Sequence, residues 1–238
     1  MKSFLFSLFV AFSFTACNQA KSVAENKDSS LLQNDSMLIA LTFDDGPNTN
    51  TTRQVLEKLE KHNILASFFV IGDSISDASA EYMKKASQMG CDIENHTRTH
   101  RPMPSLSPEE QKAEVEWTTK RINEFVKNEV KFFRPPYIAM NDSVYDNVPY
   151  TFICGVDCED WLPEVSAQER AQREIDAAKH GGIILMHDFG GNDNTVEALD
   201  ILIPALKEKG FEFVTISQLF ARCGVTPQHG KIYSNVFE

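Results

Sequence analysis

Short apolar runs and longer amphipathic stretches take turns along most of the chain from Met37 onward. The runs MLIALTF (37–43), SFFVI (67–71), CDIEN (91–95), KFFRP (131–135), YTFICGV (150–156), GIILMHD (182–188) and FEFVT (211–215) are rich in β-branched and aromatic residues, as buried strands are. Between them, TTRQVLEKLEKH (51–62) sets Val55, Leu56 and Leu59 on one face of a helix. TVEALDILIPALKEKG (195–210) does the same with Val196, Leu199, Leu202 and Leu206, and its Pro204 predicts a kink or a break. A β, α cycle repeated about seven times gives an α/β fold with a parallel sheet, either open or closed into a barrel. Both architectures place function at the carboxyl ends of the strands.

The unusual polar groups of this chain fall at those ends. After the first run come Asp44 and Asp45, followed by Gly46-Pro47. Asp-Gly and Gly-Pro are ordinary turn chemistry, but adjacent carboxylates repel. The repulsion is offset if one binds a dication while the other stays free as a base, and spacing does not say which does which. After the third run, NHTRTH places His96 and His100 four apart, so one helical turn would aim both imidazoles the same way. Two imidazoles and a carboxylate form an open three-ligand set of the catalytic-zinc type. Zn2+ is the default ion for such donors, with Co2+ or another divalent transition metal able to take the same place.

The later runs add partners. FFRPPY carries Arg134, a cation suited to holding the free carboxylate ionised. VDCEDW carries Asp157, Glu159, Asp160 and Trp161, and ILMHD ends on His187. Beside a metal and an acidic loop, that histidine reads as a general acid oriented by a carboxylate.

Together, TFDDGP, HTRTH, RPPY, DCEDW and ILMHD resemble, in order and spacing, the five motifs of the polysaccharide deacetylases of carbohydrate esterase family four; the resemblance covers roughly residues 37 to 223. It implies a distorted (β/α) barrel with fewer than eight strands. It implies Asp44 as catalytic base, Asp45, His96 and His100 as metal ligands, and His187 as catalytic acid. It further implies that Arg134 holds Asp44, that Asp160 orients His187, that the Tyr137 N–H serves the oxyanion, and that Trp161 and Leu185 line a pocket for the acetyl methyl. The implied activity is metal-dependent removal of acetyl groups from a polysaccharide or oligosaccharide, with N-acetyl amino sugars of peptidoglycan or chitin-type glycans favoured. The alternatives are an O-acetyl esterase acting on acetylxylan and a non-catalytic glycan-binding barrel. Two departures from the family pattern stand out. Ile138 follows Tyr137 where glycine is common, and Glu94 precedes Asn95-His96 where glycine is common, which would add a carboxylate near the metal.

Composition narrows the partners. At 238 residues and 42% hydrophobic the chain can bury one large core. A formal charge of -11 with no basic patch argues against nucleic acid as a partner. The His-Glu-x-x-His motif of metallopeptidases is missing from the sequence. At the N-terminus, one Lys precedes an apolar run from Phe4 to Phe14 and then small residues up to Cys17. The run is too short to span a bilayer and reads as an export signal. FTAC resembles the lipobox of bacterial lipoproteins, which implies a lipid on Cys17. The expected organisation is a signal peptide (1–16), a flexible tether (17–36) and a catalytic domain (37–238), exported to the periplasm or cell surface. A membrane would then be met only through the lipid. Cys91, Cys154, Cys158 and Cys223 remain, and a domain of this size does not depend on pairing them; Cys154 and Cys158 are expected as buried small hydrophobes.

Overall fold

The computed structural model describes residues 36–127 and 129–238, so the expected export signal, Cys17 and all of the tether except Ser36 lie outside the described residues. The elements run β1 (Met37–Asp44), α1 (Thr51–His62), β2 (Ser67–Val70), α2 (Asp77–Met89), β3 (Asp92–Asn95), α3 (Pro108–Phe125), β4 (Phe132–Phe133), α4 (Asp142–Asn147), β5 (Thr151–Ile153), β6 (Val156–Asp157), α5 (Ala167–Ala177), β7 (Gly182–His187), α6 (Asp193–Glu208), β8 (Phe211–Val214), α7 (Ile216–Arg222) and β9 (Ile232–Tyr233). Each of the seven expected runs contains a strand. Two short strands join them: the fifth run breaks at Gly155, whose φ of 99° suits glycine, into β5 and β6, and the tail supplies β9.

All the strand pairs are parallel, in the order β6-β7-β1-β2-β3-β4-β5-β9, with β8 beside the first half of β1. The sheet curls into a distorted barrel. Past β9 the chain reaches back to β7, where Ile183 N–H donates to the Ser234 carbonyl at 3.0 Å and Val236 N–H to that of Gly181 at 2.9 Å. β1 is covered on both faces, as its unbroken apolar sequence requires. Ile39, Leu41 and Phe43 join the core under α1, α2 and α6, while Leu38 and Ala40 pack with Ile216, Leu219 and Phe220 of α7.

Helix boundaries follow local chemistry. α1 buries Val55, Leu56 and Leu59 and ends on Asn63 in the left-handed conformation, and α2, α3, α5 and α7 each begin with a Ser or Thr capping box. α6 runs through Pro204 without the expected break. Pro204 lies on the exposed side of the helix, where water can serve the carbonyl it leaves unpaired.

Candidate active site

Strand register decides which residues meet at the carboxyl edge of the sheet. Asp44 is the partner of His187 across β1 and β7, and Asn95 is the partner of Phe133 across β3 and β4, which brings His96 beside Arg134. At the end of β1 the backbone turns sharply, with Asp45 at φ 75°. The two neighbouring carboxylates thereby serve different partners. Asp44, 2% exposed, accepts from Nη1 of the fully buried Arg134 at 2.5 Å. The Arg134 guanidinium also lies 4.2 Å from the centre of the Phe69 ring.

His96 and His100 do not share the helical turn expected for them. Thr97 and His100 both have positive φ, and the segment is an irregular loop pinned by side chains. Asn95 Oδ1 accepts the Thr97 N–H at 2.9 Å and Thr97 Oγ1 accepts the His100 N–H at 3.1 Å. From α3, Glu114 accepts the N–H groups of Arg98 and Thr99, the Thr99 hydroxyl at 2.7 Å and an Arg101 N–H. Local polar competition has replaced the helix.

The loop nevertheless aims both rings at one point. His96 Nδ1 lies 2.6 Å from the Arg134 carbonyl, which can only accept, so Nδ1 carries the proton and Nε2 offers its lone pair. His96 Nε2 stands 3.5 Å and His100 Nε2 3.4 Å from Asp45 Oδ1, and these ligand atoms lie within 4.8 Å of one another. Asp45 Oδ1 is buried with no hydrogen-bond partner. An orphaned carboxylate oxygen facing two imidazole nitrogens is a donor set fitted to a divalent transition metal. The charges are tightly coupled. Burial opposes the charge on Asp45, but attraction to His96, helped by His187 and His100, holds the carboxyl down to about 2. Burial also opposes the charged form of His96, yet the Asp44 and Asp45 carboxylates raise it, whereas burial and the neighbouring His96 lower His100.

Glu94 does not join this set. Its carboxylate turns to the start of β4, where it accepts the N–H groups of Lys131 and Phe132 at 2.9 Å each, and burial keeps its pKa well above the ordinary range.

On the other flank, His187 Nδ1 donates to Asp160 Oδ1 at 2.6 Å, and the His187 backbone N–H donates to Asp160 Oδ2 at 2.8 Å. Burial disfavours the imidazolium, but the bond and charge of Asp160 outweigh it and raise the His187 pKa to about 9. Leu185 is buried two residues earlier on β7, and Trp161 is 50% exposed beside Asp160. The Tyr137 ring is exposed and lies 4.7 Å, centre to centre, from that of His100. Tyr137 and Ile138 both have left-handed φ, 58° and 53°. Ile138 thus keeps a backbone shape that glycine adopts without strain. No described protein group accepts the Tyr137 N–H in a backbone hydrogen bond.

The sequence matches the polysaccharide deacetylase family model over residues 33–153. The chain belongs to that family. It is 44% identical, over 84% of its length, to a bifunctional xylanase/deacetylase of Pseudobutyrivibrio xylanivorans, covering 33% of that protein. It is 34% identical over 82% of its length to a peptidoglycan-N-acetylglucosamine deacetylase of Listeria monocytogenes, covering 41% of it. The chain therefore spans between a third and about two-fifths of these curated relatives. Among solved structures, it resembles the Xyl-CE4 domain of a multidomain xylanase from the hindgut metagenome of Trinervitermes trinervoides, with a TM-score of 0.84 and 44% identity over 85% of this chain and 99% of that one. It also resembles a family 4 acetyl xylan esterase from Clostridium thermocellum in complex with a cobalt ion, with a TM-score of 0.81 and 37% identity over 84% and 98% of the two chains.

Several groups of this deacetylase-family site have structural roles that the motif resemblance does not imply. Glu114 shapes the histidine loop from a helix with no motif. Asp188, last residue of ILMHD, is fully buried; its N–H donates to the Asp44 carbonyl at 2.9 Å and its Oδ2 accepts the Thr52 hydroxyl at 2.5 Å. It ties the end of β7 to the turn after β1. Its neighbour Gly46 has no room for a side chain, since an added Cβ would lie 2.6 Å from that carboxylate. Cys158 is buried as expected and Cys154 only partly so, and the four described cysteines are unpaired.

Proposed function

We propose that this protein is a metal-dependent hydrolase that removes acetyl groups from carbohydrate, with N-acetyl amino sugars of a peptidoglycan or chitin-type glycan as favoured substrates. The observation that carries this reading is the convergence of His96 and His100 Nε2 on the orphaned Asp45 Oδ1, flanked by the Asp44–Arg134 and His187–Asp160 pairs. In this reading Asp45, His96 and His100 hold the metal, and zinc is the first choice for two imidazoles and a carboxylate. The metal supplies Lewis-acid polarisation of the acetyl carbonyl and of a water.

The remaining work falls to the chain. Asp44, held in place by Arg134, takes the proton of the attacking water. The free N–H of Tyr137 donates to the developing oxyanion. His187, charged at neutral pH through its bond to Asp160, gives its proton to the leaving nitrogen. Trp161 and Leu185 border the position of the acetyl methyl. An amide nitrogen leaves poorly without a proton, so this acid matters most for N-deacetylation.

The relatives support a second substrate. One solved relative is a family 4 acetyl xylan esterase, which supports acetylxylan as the alternative polymer and an ester as the alternative bond. Acetate release from chitooligosaccharide, peptidoglycan and acetylated xylan by the zinc-loaded protein separates the two. Release from the amino-sugar polymers supports the first reading, and release from xylan alone replaces it with the second. Bound glycan without release would leave a binding protein.

The proposal extends to location: residues 1–16 direct export and Cys17 carries a lipid, leaving the domain tethered outside the cytoplasm. The composition of the N-terminal run supports this. Among the described residues no helix is long and apolar enough to cross a membrane. Cys17→Ser should move the protein from the membrane fraction to the soluble one; an unchanged distribution contradicts the anchor.

A further inference from the structure

Arg170 of α5 lies outside all five motifs and is 1% exposed, yet no carboxylate lies within ion-pair distance of it among the described residues. Its donors go to neutral acceptors: Nε to the Val165 carbonyl at 2.8 Å, Nη2 to that of Leu162 at 2.8 Å, and Nη1 to Asn192 Oδ1 at 2.6 Å and Thr195 Oγ1 at 2.9 Å. A buried cation so placed is costly unless an anion lies close behind those acceptors. Asp160 does: its Oδ2 accepts the Thr195 hydroxyl at 2.6 Å and faces Asn192 Nδ2 at 3.4 Å.

Direction matters in this network. A guanidinium only donates, so Thr195 Oγ1 must accept from Arg170, and its one proton is left to point at Asp160. The same constraint fixes the Asn192 amide, with its oxygen toward Arg170 and its NH2 toward Asp160 and the His187 carbonyl, 2.9 Å away. Arg170 therefore sets two donors on Asp160 Oδ2, leaving Oδ1 for the His187 ring. Its bonds to Leu162 and Val165 also fasten the loop that follows Asp160 and Trp161.

We propose that Arg170 is a positioning residue for proton delivery by His187, acting through Thr195, Asn192 and Asp160. The inference rests on the reading of His187 as proton donor to the leaving group. Arg170 bonds to none of Asp45, His96 and His100; its hydrogen bonds go to Leu162, Val165, Asn192 and Thr195. Its effect should appear where the leaving group needs a proton and vanish where it does not.

The test uses the full chain in detergent, loaded with zinc, as wild type, Arg170→Gln, Arg170→Lys and Thr195→Val. Thr195→Val cuts the same link while keeping the buried guanidinium, should the Arg170 variants fail to fold. On an N-acetyl chitooligosaccharide, Arg170→Gln and Thr195→Val should lower kcat about 10- to 100-fold, a part of what a general acid contributes, with KM within about twofold. On an aryl acetate, whose phenolate leaves unaided, kcat should fall less than about threefold. Arg170→Lys, which keeps the charge but not the fork, should fall between. Equal losses on both substrates, or no loss on either, would overturn the proposal. A readout independent of turnover is the downfield Nδ1–H proton resonance of His187, assigned by its absence in His187→Gln. It should shift or broaden in Arg170→Gln and Thr195→Val, and an unchanged resonance would overturn the proposal. If wild type released acetate from neither substrate, the functional reading would fall while the resonance still judged the link.

Discussion

Asp44 and His187 are register partners on adjacent strands, yet each is held by a different residue of opposite charge: Asp44 by Arg134 at 2.5 Å and His187 by Asp160 at 2.6 Å. In the proposed mechanism the base and the acid thus each have a partner of their own. Both stand beside the group of Asp45, His96 and His100.

If Arg134 positions Asp44 as the base, Arg134→Met should lower acetate release by at least about 100-fold. Removing one member of a buried ion pair should also cost about 3–5 kcal/mol of stability. Bound zinc should stay near one per chain in the folded fraction, because Arg134 touches the metal set only through its backbone. Steady-state rates and metal analysis check this, and a fully active variant contradicts it.

The His187–Asp160 pair predicts a pH limb. The His187 pKa is raised to about 9, so the charged acid persists through neutral pH, and kcat for an amide substrate should fall as pH rises through about 9. The same shift sets the sign for stability: the pair's contribution is fully present below about 6.5, the unfolded histidine value, and is lost as pH rises through about 9. Asp160→Asn removes the charge that raises the pKa, so its alkaline limb should move to lower pH. A limb that stays in place in the pH–rate profile would show that another group is the acid.

Glu114 fixes the histidine loop through four donors. Supporting residues of this kind are worth about 10- to 100-fold in metal affinity, and Glu114→Ala should weaken zinc binding by that factor. Calorimetric titration of the metal-free variant decides, and an unchanged affinity means that the loop holds its shape without the carboxylate.

Gly46→Ala would bring a methyl group to within 2.7 Å of both Asp188 carboxylate oxygens. Something must move, at a cost of about 1–3 kcal/mol. Denaturant unfolding should show that loss; full stability would mean that the Asp188 carboxylate turns away freely.

Much of this was legible in the sequence because strong signals coincide there. The seven apolar runs and the helix over 51–62 announced the alternating fold, and the chemical groups at strand ends announced the site. β6 and β9, two residues each, are too short for a period to register. The spacing of His96 and His100 suggested a helical turn. Asn95, Thr97 and Glu114 instead hold an irregular loop that reaches the same convergence; Asn95 and Thr97 flank His96 in sequence, but Glu114 reaches the loop from α3. Glu94 shows the converse: a carboxylate next to the motif whose Oε2 goes to the backbone N–H groups of Lys131 and Phe132 at the start of β4. Arg170, Asn192 and Thr195 were invisible for a related reason. Their roles lie in which way their dipoles point, and that is set by tertiary neighbours.

The central claim is that Asp45, His96 and His100 hold a metal without which no acetyl group is removed. Its most direct test is acetate release from chitooligosaccharide and acetylated xylan by the metal-stripped protein as zinc is titrated back, beside His100→Ala. Turnover on at least one polymer that rises from zero to a plateau at one zinc per chain, and is missing from the variant, is the result predicted. Turnover that survives stripping, or a fully active His100→Ala, would contradict it.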